Sequence, residues 1–265
     1  MKGVGVDAVS ARLGLLDLQM LDADDLPIGR VDDVELAVAE SGDVSVVALA
    51  CGQRALGRRL GGTLGRTLEA TTARFDANDS ADRGGVARIE ADLVQELSSV
   101  VKLLRPLREL PGVAGLERWL AAHLIGRLPG AGTPAASDET TTLDGPTGPL
   151  LLSDVLAATV HDQAGSPLGL AHDVRLGKGD GRHGPVVGPV TGLVVGGTGW
   201  RSRLAHAWGY TEGRSHGPAL LGALLQPEAF RARVVPVSAV LSWRPTLTVA
   251  GPLDRYPLLS EQVSS

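Results

Sequence analysis

The sequence repeats itself in order. "DADDLPIGRVDDVELAV" (residues 22–38) matches "DQAGSPLGLAHDVRLGK" (residues 162–178) at an offset of 140. Asp22 falls on Asp162, Pro27 on Pro167, Gly29 on Gly169, Asp33-Val34 on Asp173-Val174 and Leu36 on Leu176. "ALACGQRALGRRL" (48–60) matches "GLVVGGTGWRSRL" (192–204) at 144, through Gly52 and Gly196, Arg59 and Arg203, Leu60 and Leu204. "RIEADLVQEL" (88–97) matches "VVPVSAVLSW" (234–243) more loosely at 146, through Val94 and Val240. Blocks that keep their order and drift only by small insertions point to a duplicated module of about 90–100 residues, within the ordinary size of a domain.

Within each copy the pattern reads strand, turn, strand, strand, short helix, strand, strand. Asp24-Asp25 and Ala164-Gly165 stand between alternating runs and predict hairpin turns. "VSVVALAC" and "VTGLVV" are unbroken apolar runs, as in buried strands. Short strands separated by turns, in so small a unit, favour a small β-barrel. With aromatic content at 3% against 43% hydrophobic, the core must be mostly Leu, Val and Ala. Between the copies, residues 128–149 are rich in Pro, Gly, Ser and Thr and read as a flexible linker. Just before it, Leu116, Trp119, Leu120, Leu124 and Leu128 recur at helical spacing and predict an amphipathic helix that Pro129-Gly130 stops.

"VVGGTGWRSR" invites a phosphate-loop reading. A Walker loop needs Lys then Ser/Thr after its last glycine, but Gly199 is followed by Trp200-Arg201. The dinucleotide pattern fails at its sixth position. The matching stretch of the first copy, Gly52-Gln53-Arg54-Ala55, keeps only the first glycine, so the fold requires no glycine cluster there. A strand-to-helix turn is the expectation.

Taken together, "PIGRVDDVEL" and "PLGLAHDVRL", "VVALACGQRALGRRL" and "VTGLVVGGTGWRSRL", and the closing "RVVPVSAV" resemble the PRC-barrel family over residues 13–104 and 152–250. The family includes the cytoplasmic domain of the photosynthetic reaction-centre H subunit and the C-terminal domain of a ribosome maturation factor. The resemblance implies adaptor domains that bind partner proteins and share no catalytic centre, so it supplies no catalytic residue. The sequence departs from the pattern in a longer polar loop at 66–86, and "ARIEAD" lacks the proline that the second copy has at Pro236.

Gly213-Arg214-Ser215-His216-Gly217 matches the nucleophile-elbow spacing, but "AHAWGYTE" is a poor core strand to precede one. Ser215 therefore carries only a remote esterase reading. His161, His172, His183, His206 and His216 include no H-x-x-x-H pair, so no metal is expected, and scattered surface and turn histidines are. "DANDSADRG" (76–84) fails the calcium-loop pattern at Ala81 and Ala87. The lone Cys51 excludes an intramolecular disulfide and a cysteine-built zinc site.

Formal charge is −7 over residues 1–150 and +2 over 151–265, too little basicity in either part to hold nucleic acid by charge alone. Arg54, Arg58, Arg59 and Arg66, echoed by Arg201 and Arg203, could still contact RNA, but that stretch of the first copy has no stacking aromatic, and a solvated helix face is favoured. No run of 18 apolar residues and no signal-peptide core are present, so a cytoplasmic protein is the default.

These readings combine into one expectation: a mainly β chain of two small PRC-like β-barrels with short accessory helices, joined by an amphipathic helix and a flexible linker. The first barrel spans 13–104, the helix and Pro/Gly/Thr-rich linker 105–150, and the second barrel 151–252. The expected function is a non-enzymatic adaptor or scaffold that binds partner proteins without a cofactor. The alternative is a ribosome- or RNA-associated maturation factor, and self-association is left open. Candidate partner-binding residues are Trp119, Arg58, Arg59, Trp200, Arg201 and Arg203.

Overall fold

The computed structural model describes residues 8–51, 87–106, 109, 149–156, 158–179, 186–207, 225–227 and 229–263, and over these the chain is mainly β. The first half runs β1 (Val9–Ser10), α1 (Ala11–Gly14), β2 (Gln19–Leu21), β3 (Pro27–Arg30), β4 (Asp33–Val38) and β5 (Val44–Cys51). It continues through β6 (Ala87–Glu90), a 3-10 turn at Ala91–Leu93, β7 (Val94–Leu97) and β8 (Val100–Leu103). The second half runs β9 (Leu150–Leu151), α2 (Leu152–Val155), β10 (Thr159–His161), β11 (Pro167–Lys178), β12 (Val187–Gly196) and α3 (Trp200–Ala207). It ends with β13 (Arg233–Pro236), a 3-10 turn at Val237–Ala239, β14 (Val240–Ser242), β15 (Leu247–Val249) and α4 (Leu259–Val263).

The hairpins form because an aspartate ties each turn to itself. Asp22 Oδ1 accepts from the Asp24 and Leu26 amides, both at 2.9 Å, and Asp162 Oδ1 accepts from Ala164 and Ser166 at 2.9 and 2.8 Å. The turn needs a left-handed residue, which is Asp25 at φ 61° in one half and Gly165 at φ 83° in the other. The strands on either side then pair alike: Met20 opposite Gly29, and Val160 opposite Gly169. The same holds further on, where Leu49 faces Ile89 and Leu193 faces Val235, while β2 and β10 add the parallel partners β8 and β15.

Hydrogen bonding divides the described strands into three open sheets, not two closed rings. One is ordered β13-β12-β11-β10-β15-β14 with β1 added on β11; the others are β3-β2-β8-β7 and β6-β5-β4-β9. The first half is split where the second is continuous, because β11 runs unbroken through the stretch at which β3 and β4 are interrupted by Val31-Asp32.

The halves are interlocked by an exchange that the sequence pattern did not foresee. β1 pairs with β11 of the second half, Val9 opposite Leu176, and β9 pairs with β4 of the first, Leu150 opposite Leu36. A buried aspartate secures each crossing. Asp173 Oδ1 accepts from the Arg12 amide at 3.0 Å and the Val174 amide at 2.8 Å. Asp33 Oδ1 accepts from Ser153 at 3.1 Å and Val34 at 2.8 Å, and the Ser153 hydroxyl donates to Asp33 Oδ2. Among the described residues the largest hydrophobic cluster spans both halves, including Leu15, Met20, Leu49 and Ile89 from one and Val160, Leu193 and Val235 from the other. The second crossing stands partly on Glu35, whose Oε2 takes an ion pair from Arg88 at 2.6 Å on the strand beyond β5.

Candidate functional site

The turn after β12 is a strand-to-helix turn, since β12 ends at Gly196 and α3 begins at Trp200. Gly196 is required by what lies beneath it. A Cβ there would come within 2.9 Å of His172 Cδ2 and 3.3 Å of the Ala232 methyl. Leaving it out lets the His172 ring rise under the turn, where Nε2 lies 2.9 Å from the Gly197 carbonyl oxygen. Ser202 Oγ is 3.1 Å from the same nitrogen, and the His206 ring stacks on His172 with centroids 4.2 Å apart and planes 11° apart. Ser202 and His206 are four residues apart on α3, so both face inward, on the same side as Ala205.

The carbonyl partner fixes the chemistry of this cluster. A carbonyl oxygen only accepts, so His172 Nε2 carries the hydrogen and the Gly197 oxygen receives it. The nitrogen that faces Ser202 is therefore a donor and cannot take the serine proton, and Ser202 is itself 2% exposed. The pair holds the turn in place and does not form a nucleophile and its base. Burial pushes His172 down to about 4, with help from the positive charges of Arg12 and Arg203 and against the Gly197 hydrogen bond. Burial pushes His206 down to about 3, helped by His172 and Arg12. Both rings are neutral at pH 7. Nearly parallel stacked rings send their in-plane lone pairs side by side and do not converge on one ion. Among the described residues no group of three or more His, Cys, Asp or Glu is placed to hold a metal.

Above this base the turn is open to solvent. Gly197, Thr198, Gly199 and Trp200 are exposed, Trp200 at 63%, Arg203 is exposed and Arg201 half-buried. The structure thus brings together three of the residues singled out from the sequence, Trp200, Arg201 and Arg203, on the first turn of one helix. Trp119, Arg58, Arg59 and Ser215 lie outside the described residues, as do His183, His216 and the 76–84 loop.

The expectation of surface and turn histidines is corrected for two of the five. His172 and His206 are 2% and 3% exposed, because β11 and α3 turn them toward each other across the β12 turn. The i, i+4 spacing of Ser202 and His206 around Ala205 was the available signal for an inward helix face. The partner histidine, far away on β11, left no such trace. Among the described residues no helix is long and apolar enough to cross a membrane. No protein-family model matches the chain, and no curated protein matches it either.

Proposed function

We propose that the chain is a tandem PRC-barrel-like adaptor of the cytoplasm, without catalytic activity of its own, that grips a partner protein through the raised turn and first helical turn at Gly197–Arg203. The observation that carries this is the exposed indole of Trp200 beside a hydrogen-bonded and closely packed base. Tryptophan and arginine are the side chains most often found at interface hot spots, and an anchor contributes most when its own backbone is already ordered before binding. Here the ordering comes from Gly196, His172 and Ser202 beneath. The like pairing of the two halves supports a duplicated module, as the sequence resemblance implies. A pull-down of the tagged full chain from native lysate, with protein and RNA both identified, tests the reading. A stoichiometric protein partner that survives high salt supports it.

A second reading draws on the same residues. An exposed Trp beside Arg201 and Arg203 is the combination by which single-stranded nucleic acid is held, base on ring and phosphate on guanidinium. On that reading, RNA would be captured at low salt, released as salt rises, and lost from Arg201→Ala/Arg203→Ala.

A further inference from the structure

The helix that carries Trp200 begins with positive charge that the fold does not use. Arg201 and Arg203 stand on the first turn of α3, and that turn holds no acidic residue. A helix already presents the positive end of its dipole there, so two arginines add repulsion where an aspartate or glutamate would be stabilising. Nor is the repulsion relieved nearby. Arg88 pairs with Glu35 and Glu90, Lys102 with Asp25 and Arg244 with Asp154, but no carboxylate among the described residues forms an ion pair with Arg201 or Arg203. A third cation, Arg12 of α1, bears on the same place: its charge and that of Arg203 both add to the burial that keeps the His172 ring neutral.

The surface beside these charges is apolar and open. The Trp200 indole is 63% exposed, and a Cβ at Gly199 would meet nothing within 4 Å. Trp200 and Arg203 are three residues apart on one helix, which sets their Cβ atoms about 5–6 Å apart. An extended peptide puts every second side chain on one side, about 7 Å apart. A leucine-like side chain can therefore lie on the indole while a carboxylate two residues along meets the Arg203 guanidinium, with Arg201 and Arg12 strengthening the field. RNA fits this surface less well. Single strands are gripped by successive rings along a cationic groove, and Trp200 is the one exposed aromatic among the described residues of a chain whose net charge is −5.

We propose that the Trp200–Arg203 face docks an extended acidic segment of a partner protein, with an apolar side chain on the indole and a carboxylate two residues along on Arg203. This rests on the adaptor reading and supplies the chemistry of the partner. The indole contact gives the part of the affinity that survives salt. The arginines select the sign of the partner's charge, and their share is screened as salt rises.

The test titrates the full chain with a short capped peptide in which leucine and glutamate alternate along one face with serines between. Its glutamine and lysine counterparts and oligouridylate run beside it. The four tryptophan indole N–H signals report, and Trp200→Phe identifies the one that matters. The expected result is a saturable displacement of the Trp200 signal by the glutamate peptide, about five-fold tighter than by the glutamine peptide at low salt and about equal to it at high salt. Arg201→Glu/Arg203→Glu should reverse the preference toward the lysine peptide. Equal responses to the glutamate and glutamine peptides at low salt overturn the proposal, as does a Trp200 signal that no peptide moves. Movement by oligouridylate alone makes the face an RNA surface, and movement on diluting the chain alone makes it an interface between copies; either outcome overturns it too. The adaptor reading is judged separately by the lysate: a protein partner captured there while the glutamate peptide does nothing sinks the acidic segment and leaves the adaptor standing.

Discussion

A neutral imidazole stacked on a second neutral imidazole is a pH-sensitive joint. Burial lowers the folded-state values of His172 and His206 to about 4 and about 3, from an ordinary 6.5. A group depressed in the folded state contributes stability that is present above pH 6.5 and is lost as pH falls through its folded value. Burial works in the opposite direction on Asp173, raised from 3.8 to about 6 against the Ser10 and Arg12 hydrogen bonds that hold it down. Its contribution is present below 3.8 and is lost as pH rises through 6. The two effects separate in variants. His206→Phe keeps the ring stack and has no proton to gain, so its melting temperature should improve relative to the unmodified protein as pH drops from about 6.5 to about 4. Parallel thermal melts across that range check this, and equal slopes for the two proteins would refute it. Asp173→Asn should do the reverse, gaining on the unmodified protein as pH rises from about 4 to about 6.

At the scale of elements, the crossing strands are the least obvious feature and the most consequential. β1 and β9 have two residues each, too short for any periodicity, and their partners lie in the opposite half. Local sequence therefore could not reveal them. The hairpins, by contrast, were legible because their information is local: an aspartate at the start, a left-handed residue at Asp25 or Gly165, and alternating strands on either side. The matched Asp33 and Asp173 were visible as repeat positions, but their role as acceptors for the other half's helix was not. Asp173→Ala would strand the Arg12 and Val174 amides and should cost roughly 2–4 kcal/mol in chemical denaturation, with Asp33→Ala similar through Ser153 and Val34. Leu49→Ala, in the middle of β5 and fully buried, should cost about 2–5 kcal/mol.

At the scale of the whole molecule, exchange of the leading segments makes each half depend on the other. Residues 8–106 and 149–263 produced separately should unfold easily or aggregate, and should assemble into a stable complex when produced together. Size-exclusion chromatography of each alone and of the pair decides it; two halves that are monomeric and stable alone would refute the interlock. The matched segments pair alike in the two halves, and the crossing strands make the halves depend on each other. The raised turn with Trp200 was half legible in the same way. Its glycines and basic residues stood out in the sequence, but its histidine base depended on a strand 25 residues away from the Gly197 carbonyl. The adaptor account rests on that turn. The most direct measurement is to repeat the native-lysate pull-down with Trp200→Ala beside the unmodified chain, both verified as folded by thermal melts. The account predicts that the partner retained by the unmodified chain at high salt disappears from the variant. Retention of the same partner in the same amount would contradict it.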